Sequence, residues 1–257
     1  MQFLFDTFGS LIADRTFWAI SAVVFVAGVV RGFSGFGTAM IYIPMAGALV
    51  NPIFAVASLQ IFDLPPTLPL VIQAMRRVIW RDVLPIVLFA ALGVPVGITM
   101  LKLVDPLVLR WLIAGIIVTL LAALTSGFRY SGRPNIAMTA GAGLCAGLCS
   151  GIASMAGPPA ILYWISGPAE KHVLRANTQV FLGLMTIFTL SSFFIAGVFT
   201  RQSIIWGIAL MVPYGAGLFA GAQVFPFASE RIYRKVAFGL ILLAVALSLP
   251  ILDEVLR

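Results

Sequence analysis

Charge is the scarcest thing in this sequence. Asp, Glu, Lys and Arg make up 10% of its 257 residues and hydrophobic residues 61%, whereas soluble domains carry about 25% charged residues. That imbalance leaves no stretch for a soluble domain and predicts a single transmembrane domain over residues 1–257. Histidine is nearly missing: His172 stands alone, in what reads as a solvated polar loop. The only cysteines, Cys145 and Cys149, lie four apart on one predicted helix and read as small packing residues. They form neither a disulfide framework nor a metal site. Paired carboxylates, HExxH and a Walker-type phosphate loop are all absent. No catalytic residue, metal or cofactor is therefore predicted, and an ATP-driven pump is excluded. The N-terminus, MQFLFDTFGSLIAD, is acidic rather than basic before its first long apolar run, so no cleavable signal peptide is expected.

The basic residues outnumber the acidic ones, 16 to 9, for a formal charge of +7. They are scattered between apolar runs, without the basic stripe and interleaved aromatics that track a phosphate backbone. Nucleic acid is excluded as a partner, and positive-inside topology accounts for the surplus.

What the chain does have is a break. Between the apolar runs Phe17–Val30 and Thr38–Val50 sits RGFSGFG, three glycines and one arginine inside GVVRGFSGFGTAMIYIP. Loose backbone at membrane depth is tolerated only where it is buried in protein or lines a polar cavity. A charge there is costly unless it has a partner or a task, and a broken apolar segment is the usual pointer to a transporter site. At 1.5 Å per residue each arm is roughly 20 Å long, too short for a ~30 Å core. The two arms form either one long broken span or a re-entrant hairpin. Residues 1–16 read as an interfacial helix. Ile53–Ala74, Val83–Leu101 and Leu107–Ser126 follow as spans, and the loop FRYSGRP closes the first half.

The second half repeats this plan. Ile136–Ser150 is an arm, GIASMAGPP a second break, and Ala176–Phe199, Ile204–Phe225 and Val236–Leu252 are spans. Shifting by 119 residues matches Gly28 with Gly147, Gly32 with Gly151, and Gln60 with Gln179. The prediction is an all-α integral membrane protein of two homologous halves, about 17–127 and 135–252. Each half is a broken, re-entrant helical hairpin plus three transmembrane helices. Three full spans per half invert the second repeat relative to the first. Ten basic residues (Arg76, Arg77, Arg81, Arg129, Arg133, Lys171, Arg175, Arg231, Arg234, Lys235) then share one side, and five (Arg15, Lys102, Arg110, Arg201, Arg257) the other. Fully crossing breaks would give eight to seven, so the hairpins are favoured and both termini are expected outside the cytoplasm.

The two breaks would meet near the bilayer midplane, with half-helices beginning at Thr38 and near Pro158. Helix N-termini with unpaired N–H groups favour anions. The predicted substrate site comprises Arg31, Gly32, Ser34, Gly35, Gly37 and Thr38 from the first break and Ser150, Gly151, Ser154 and Gly157 from the second. Gln60, Asn177 and Gln179 join it from the flanking spans. Glycines let backbone donors approach a ligand, and Arg31 offers a fork suited to an oxyanion. Asp63, the only acid deep in a span, either neutralises Arg31 or carries a proton, which makes protons the candidate coupling ion.

GVVRGFSGFGTAMIYIP and GLCSGIASMAGPPAILYWI resemble the paired glycine-rich motifs of the sulfite exporter TauE/SafE family. Ser34, Phe36 and Thr38 interrupt the family's glycine pattern in the first motif, and Ser154, Met155 and Ala156 in the second. The resemblance implies a bacterial inner-membrane secondary transporter that exports a small sulfur-containing anion, such as sulfite or an organosulfonate. A passive anion channel, a carrier of a non-sulfur organic anion and a membrane assembly subunit are the competing expectations. A homo-oligomer is left open.

Overall fold

The computed structural model describes residues 11, 13–126, 135–165, 171–224, 239, 241–242 and 245–246. The described residues form nine helices and no strand. They are α1 (Arg15–Ser34), α2 (Thr38–Leu49), α3 (Pro52–Ala74), α4 (Trp80–Leu103), α5 (Pro106–Thr125), α6 (Ile136–Ala153), α7 (Gly157–Ile165), α8 (Lys171–Ile195) and α9 (Arg201–Val224). Seven of them, all but α2 and α7, are long and apolar enough to cross a membrane. The predicted interfacial helix, apart from residues 11 and 13–16, the FRYSGRP loop and the span Val236–Leu252 fall on residues largely outside this description.

Capping chemistry starts and stops these helices. Asp14 accepts from the Thr16 N–H at 2.8 Å and Asn51 from Phe54 N–H at 2.7 Å. Asp105 caps Leu107 at 2.8 Å and Asn135 caps Met138 at 2.9 Å. Each side-chain oxygen satisfies one of the donors a helix start leaves over. Pro52 and Pro106 occupy the first helical positions, where a missing N–H costs nothing. His172 lies in α8 rather than in a loop.

Several sequence-based boundaries need correction: the span predicted at Ala176–Phe199 is Lys171–Ile195, and both breaks are shorter than expected. α1 does not stop at Val30 but continues through Arg31 to Ser34, 20 residues or about 30 Å, and α6 runs to Ala153. The non-helical break is thus shorter than RGFSGFG. It comprises Gly35 to Gly37, with Gly35 at φ 80° and Gly37 at φ 105°. Arg31 sits in the last turn of α1, where the helix dipole favours a cation. The helix persists through its glycines because they pack. A Cβ on Gly28 would lie 2.6 Å from the Tyr214 carbonyl, and one on Gly32 would overlap the backbone at Leu218. From the other side, Gly217 and Gly221 face the backbone of Phe25 and Val29. α4 and α6 meet in the same way: Gly93 and Gly97 face the backbone at Leu144 and Leu148, and Gly147 and Gly151 that at Ala90 and Val94. Small residues at such interfaces let two helix backbones come into direct contact, and dispersion then replaces the missing hydrophobic driving force in lipid.

After the Gly35–Gly37 turn the chain folds back. The Trp206 ring is 5.5 Å from Phe17, near the start of α1, and 5.3 Å from Phe54, at the start of α3. A continuous broken span would leave those two phenylalanines at opposite ends. α2, at 12 residues, is a short returning arm, and α7, at nine, is its counterpart after Ser154. α3 and α8 pack on each other and on both glycine-sealed pairs, α3 on α9 and α8 on α4.

Candidate functional site

The two breaks come together. A Cβ placed on Gly157, where α7 begins, would stand 3.5 Å from Cβ of Phe36 in the first turn and 3.5 Å from Leu182 of α8. Beside this junction lies a small cavity of about 20 Å³. Arg31, Thr38, Gln60, Asp63, Ser150 and Ser154 supply its polar wall, and Leu59, Leu182 and Met185 much of its apolar one. A cavity needs about 10–15 Å³ on this measure to hold a water, so the space fits one or two.

At its centre Arg31 Nη2 is 3.3 Å from Asp63 Oδ2, with the two side chains only 12% and 4% exposed. The other carboxylate oxygen, Oδ1, accepts from the hydroxyl of Tyr214 on α9. With that proton committed, the Thr38 hydroxyl donates to the Tyr214 oxygen at 3.2 Å. Helices from opposite ends of the chain therefore hold one carboxylate, and Arg31, Asp63, Tyr214 and Thr38 form a continuous chain of partners. A buried ion pair survives when further hydrogen bonds satisfy its remaining lone pairs, and the tyrosine does this here.

On the facing wall Gln60 Nε2 donates to Ser154 Oγ at 2.6 Å. Gln60 is 2% exposed, and its Oε1 has no partner among the described residues. Ser154 holds φ at 50°, the only described non-glycine residue with positive φ. It caps α6 as Gly35 caps α1. Strain of this kind persists where surrounding contacts enforce it, commonly at binding sites. Ser150 shares a hydrogen bond with Thr189 of α8 at 2.9 Å.

Other predicted site residues serve the frame. Gly32 and Gly151 seal helix contacts rather than cradle a ligand, because both face the backbone of a neighbouring helix. The Ser34 hydroxyl lies 2.7 Å from Val30 O and 2.6 Å from Phe36 O, tying the turn. Gly35 and Gly37 supply the positive φ values of that turn, and Gly157 opens α7 at the junction. Asn177 Oδ1 accepts from the Ile79 N–H at 2.9 Å and fastens the α3–α4 connection to α8. Gln179 places its Cγ 3.9 Å from where a Gly35 Cβ would be, at the first turn. Among the residues of the site that escaped the sequence reading are Tyr214, whose partner is 151 residues away, and Leu59, Leu182, Met185 and Thr186, which read as ordinary span residues. Cys145 and Cys149 are free, and the described residues include no cluster of three metal-binding side chains.

Seven apolar helices surrounding a buried charge pair and a small polar cavity define a multi-pass membrane transport protein. The sulfite exporter TauE/SafE family model matches residues 20–249, and the chain belongs to that family. No curated protein and no solved structure gave a match.

Proposed function

We propose that the protein is a secondary transporter that exports a small sulfur-containing anion, sulfite or an organosulfonate, across a bacterial inner membrane. The buried Arg31–Asp63 pair beside a small polar cavity carries this reading. The anion seats between the two turns and takes the Arg31 guanidinium from Asp63, which stays tethered to Tyr214. Ser150 and Ser154 face the anion from the other half, and Gln60 from α3 of the same half as Arg31. Alternation of Arg31 between carboxylate and substrate keeps the cation neutralised in both states. The small size of the cavity favours a compact anion. The ten-to-five charge split supports inverted halves, with both termini outside the cytoplasm.

Binding to the purified protein tests the substrate class. Sulfite, sulfoacetate, taurine and thiosulfate are titrated in parallel with a carboxylate of similar size, acetate. At least one sulfur oxyanion should bind more tightly than acetate and lose its affinity in Arg31→Ala. Equal affinity for acetate, or binding insensitive to Arg31, removes the reading.

A further inference from the structure

A second arginine stands at the same turn. Arg175, near the start of α8, donates from Nη2 to the Gly32 carbonyl at 3.2 Å, one of the acceptors left over at the end of α1. Its Cγ lies 4.0 Å, and that of Gln179 3.9 Å, from where a Gly35 Cβ would be. The last turn of α1 therefore carries one arginine from within, Arg31, and is gripped by another from α8.

The positions that follow on α8 continue inward. Residues at spacings of three and four share one helix face, and Arg175, Gln179, Leu182, Thr186 and Thr189 have that spacing. Leu182 and Thr186 line the cavity, and Thr189 reaches Ser150. From Arg175 to Thr189 the face extends about 21 Å. It is polar throughout except at Leu182, which is buried between Gln179 and Thr186. The outer end is basic. Asn177 holds the α3–α4 connection against this end of α8 through Ile79; Arg76 and Arg77 are exposed in that connection and Arg81 at the start of α4. Asp82 is the exposed carboxylate beside them.

We propose that Arg175 is the entrance cation of an anion route along this face of α8, with Gln179 the next contact and Leu182 the apolar closure before the cavity. Basic mouths raise the local concentration of anions and their rate of entry, and salt weakens the effect. The route rests on the anion-transport reading of the cavity, but its outer end is testable without transport.

Sulfite flux in proteoliposomes provides the first measurement. Arg175→Gln should raise KM about tenfold with little change in maximal rate, and should flatten the dependence of KM on salt. Arg175→Lys should stay within about twofold of the unaltered protein, because a mouth needs charge rather than a fork. Unchanged KM and salt dependence in Arg175→Gln overturns the proposal. A mere helix-capping role would instead lower thermal stability in both variants and leave the salt dependence intact. The second measurement places cysteine at Gln179 in a Cys145→Ala, Cys149→Ala background. An anionic methanethiosulfonate should modify it several-fold faster than a cationic one of similar size, with the preference shrinking as salt rises. Equal or reversed rates overturn the proposal even if Arg175→Gln fails to fold. If the anionic preference holds but the unaltered protein moves no sulfite, the substrate assignment fails and the entrance stands.

Discussion

Gln60 on α3 hydrogen-bonds Ser154 in the turn of the other half, and Gln179 on α8 lies against Gly35 in the turn of the first. The two contacts are reciprocal. Residues 35 and 154 are 119 apart, as are 60 and 179, and both turn residues hold left-handed backbone. The chemistry is not reciprocal. The same shift sets Arg31 against Ser150 and Asp63 against Leu182, so the charge pair belongs to one half only.

Arg31→Ala should nearly abolish transport. Truncating one partner of a buried charge pair costs about 2–5 kcal/mol, much of it from the charge left behind. Arg31→Lys keeps the charge, loses the bidentate fork and should weaken anion binding while the protein still folds. Flux in proteoliposomes, read beside thermal stability, checks both. Near-normal flux through well-folded Arg31→Ala would move the site elsewhere.

Tyr214→Phe retains a ring that packs 5.0 Å from Phe62 and removes only the hydroxyl. One Asp63 oxygen then loses its donor and Thr38 its partner. Stability should fall by about 1–3 kcal/mol, the cost of an unmet buried acceptor. Denaturation in detergent measures it, and a neutral result would mean that Asp63 finds another donor.

The glycine interfaces should respond to a single methyl. Gly32→Ala and Gly147→Ala each drive a Cβ into facing backbone and should cost about 1–3 kcal/mol or more. Gly115→Ala and Gly141→Ala meet nothing within 4 Å and should be neutral or slightly stabilising, since alanine favours helix. Melting temperatures of the four variants separate the cases.

Single cysteines at Ser131 and Ala169, in a background without Cys145 and Cys149, should be labelled by an impermeant reagent from the cytoplasmic face alone. The ten-to-five charge split motivates this expectation. Labelling from opposite faces would rule out the hairpin topology.

The helical class, the two breaks and, as one of two roles for Asp63, its pairing with Arg31 were legible in the sequence because each departs from an otherwise apolar background. An arginine and an aspartate inside hydrophobic runs can hardly stand apart when burying either alone is so costly. Glycine was harder to read. Gly32 and Gly35 look alike in the string, yet one admits a neighbouring backbone and the other a left-handed turn. Only the path of α9 separates the two roles. Tyr214 gave no local signal, because its significance comes from a contact across 151 residues. Asn177 was drawn into the site by Gln179, two residues on, although helical residues two apart do not share a face.

The glycine seals also limit how the molecule can move. α1 is locked to α9, and α6 to α4, at distances where a methyl group would not fit, so neither pair can slide or roll internally without collision. Each pair takes one helix from either half of the sequence. The halves are therefore interlocked, and neither can swing as a body of its own. The two mixed pairs are stiff units. Mechanically, each pair is a strut that ties the two halves, and a fragment ending at residue 126 would have α1 without the helix that braces it. The two fragments should fold only when made together.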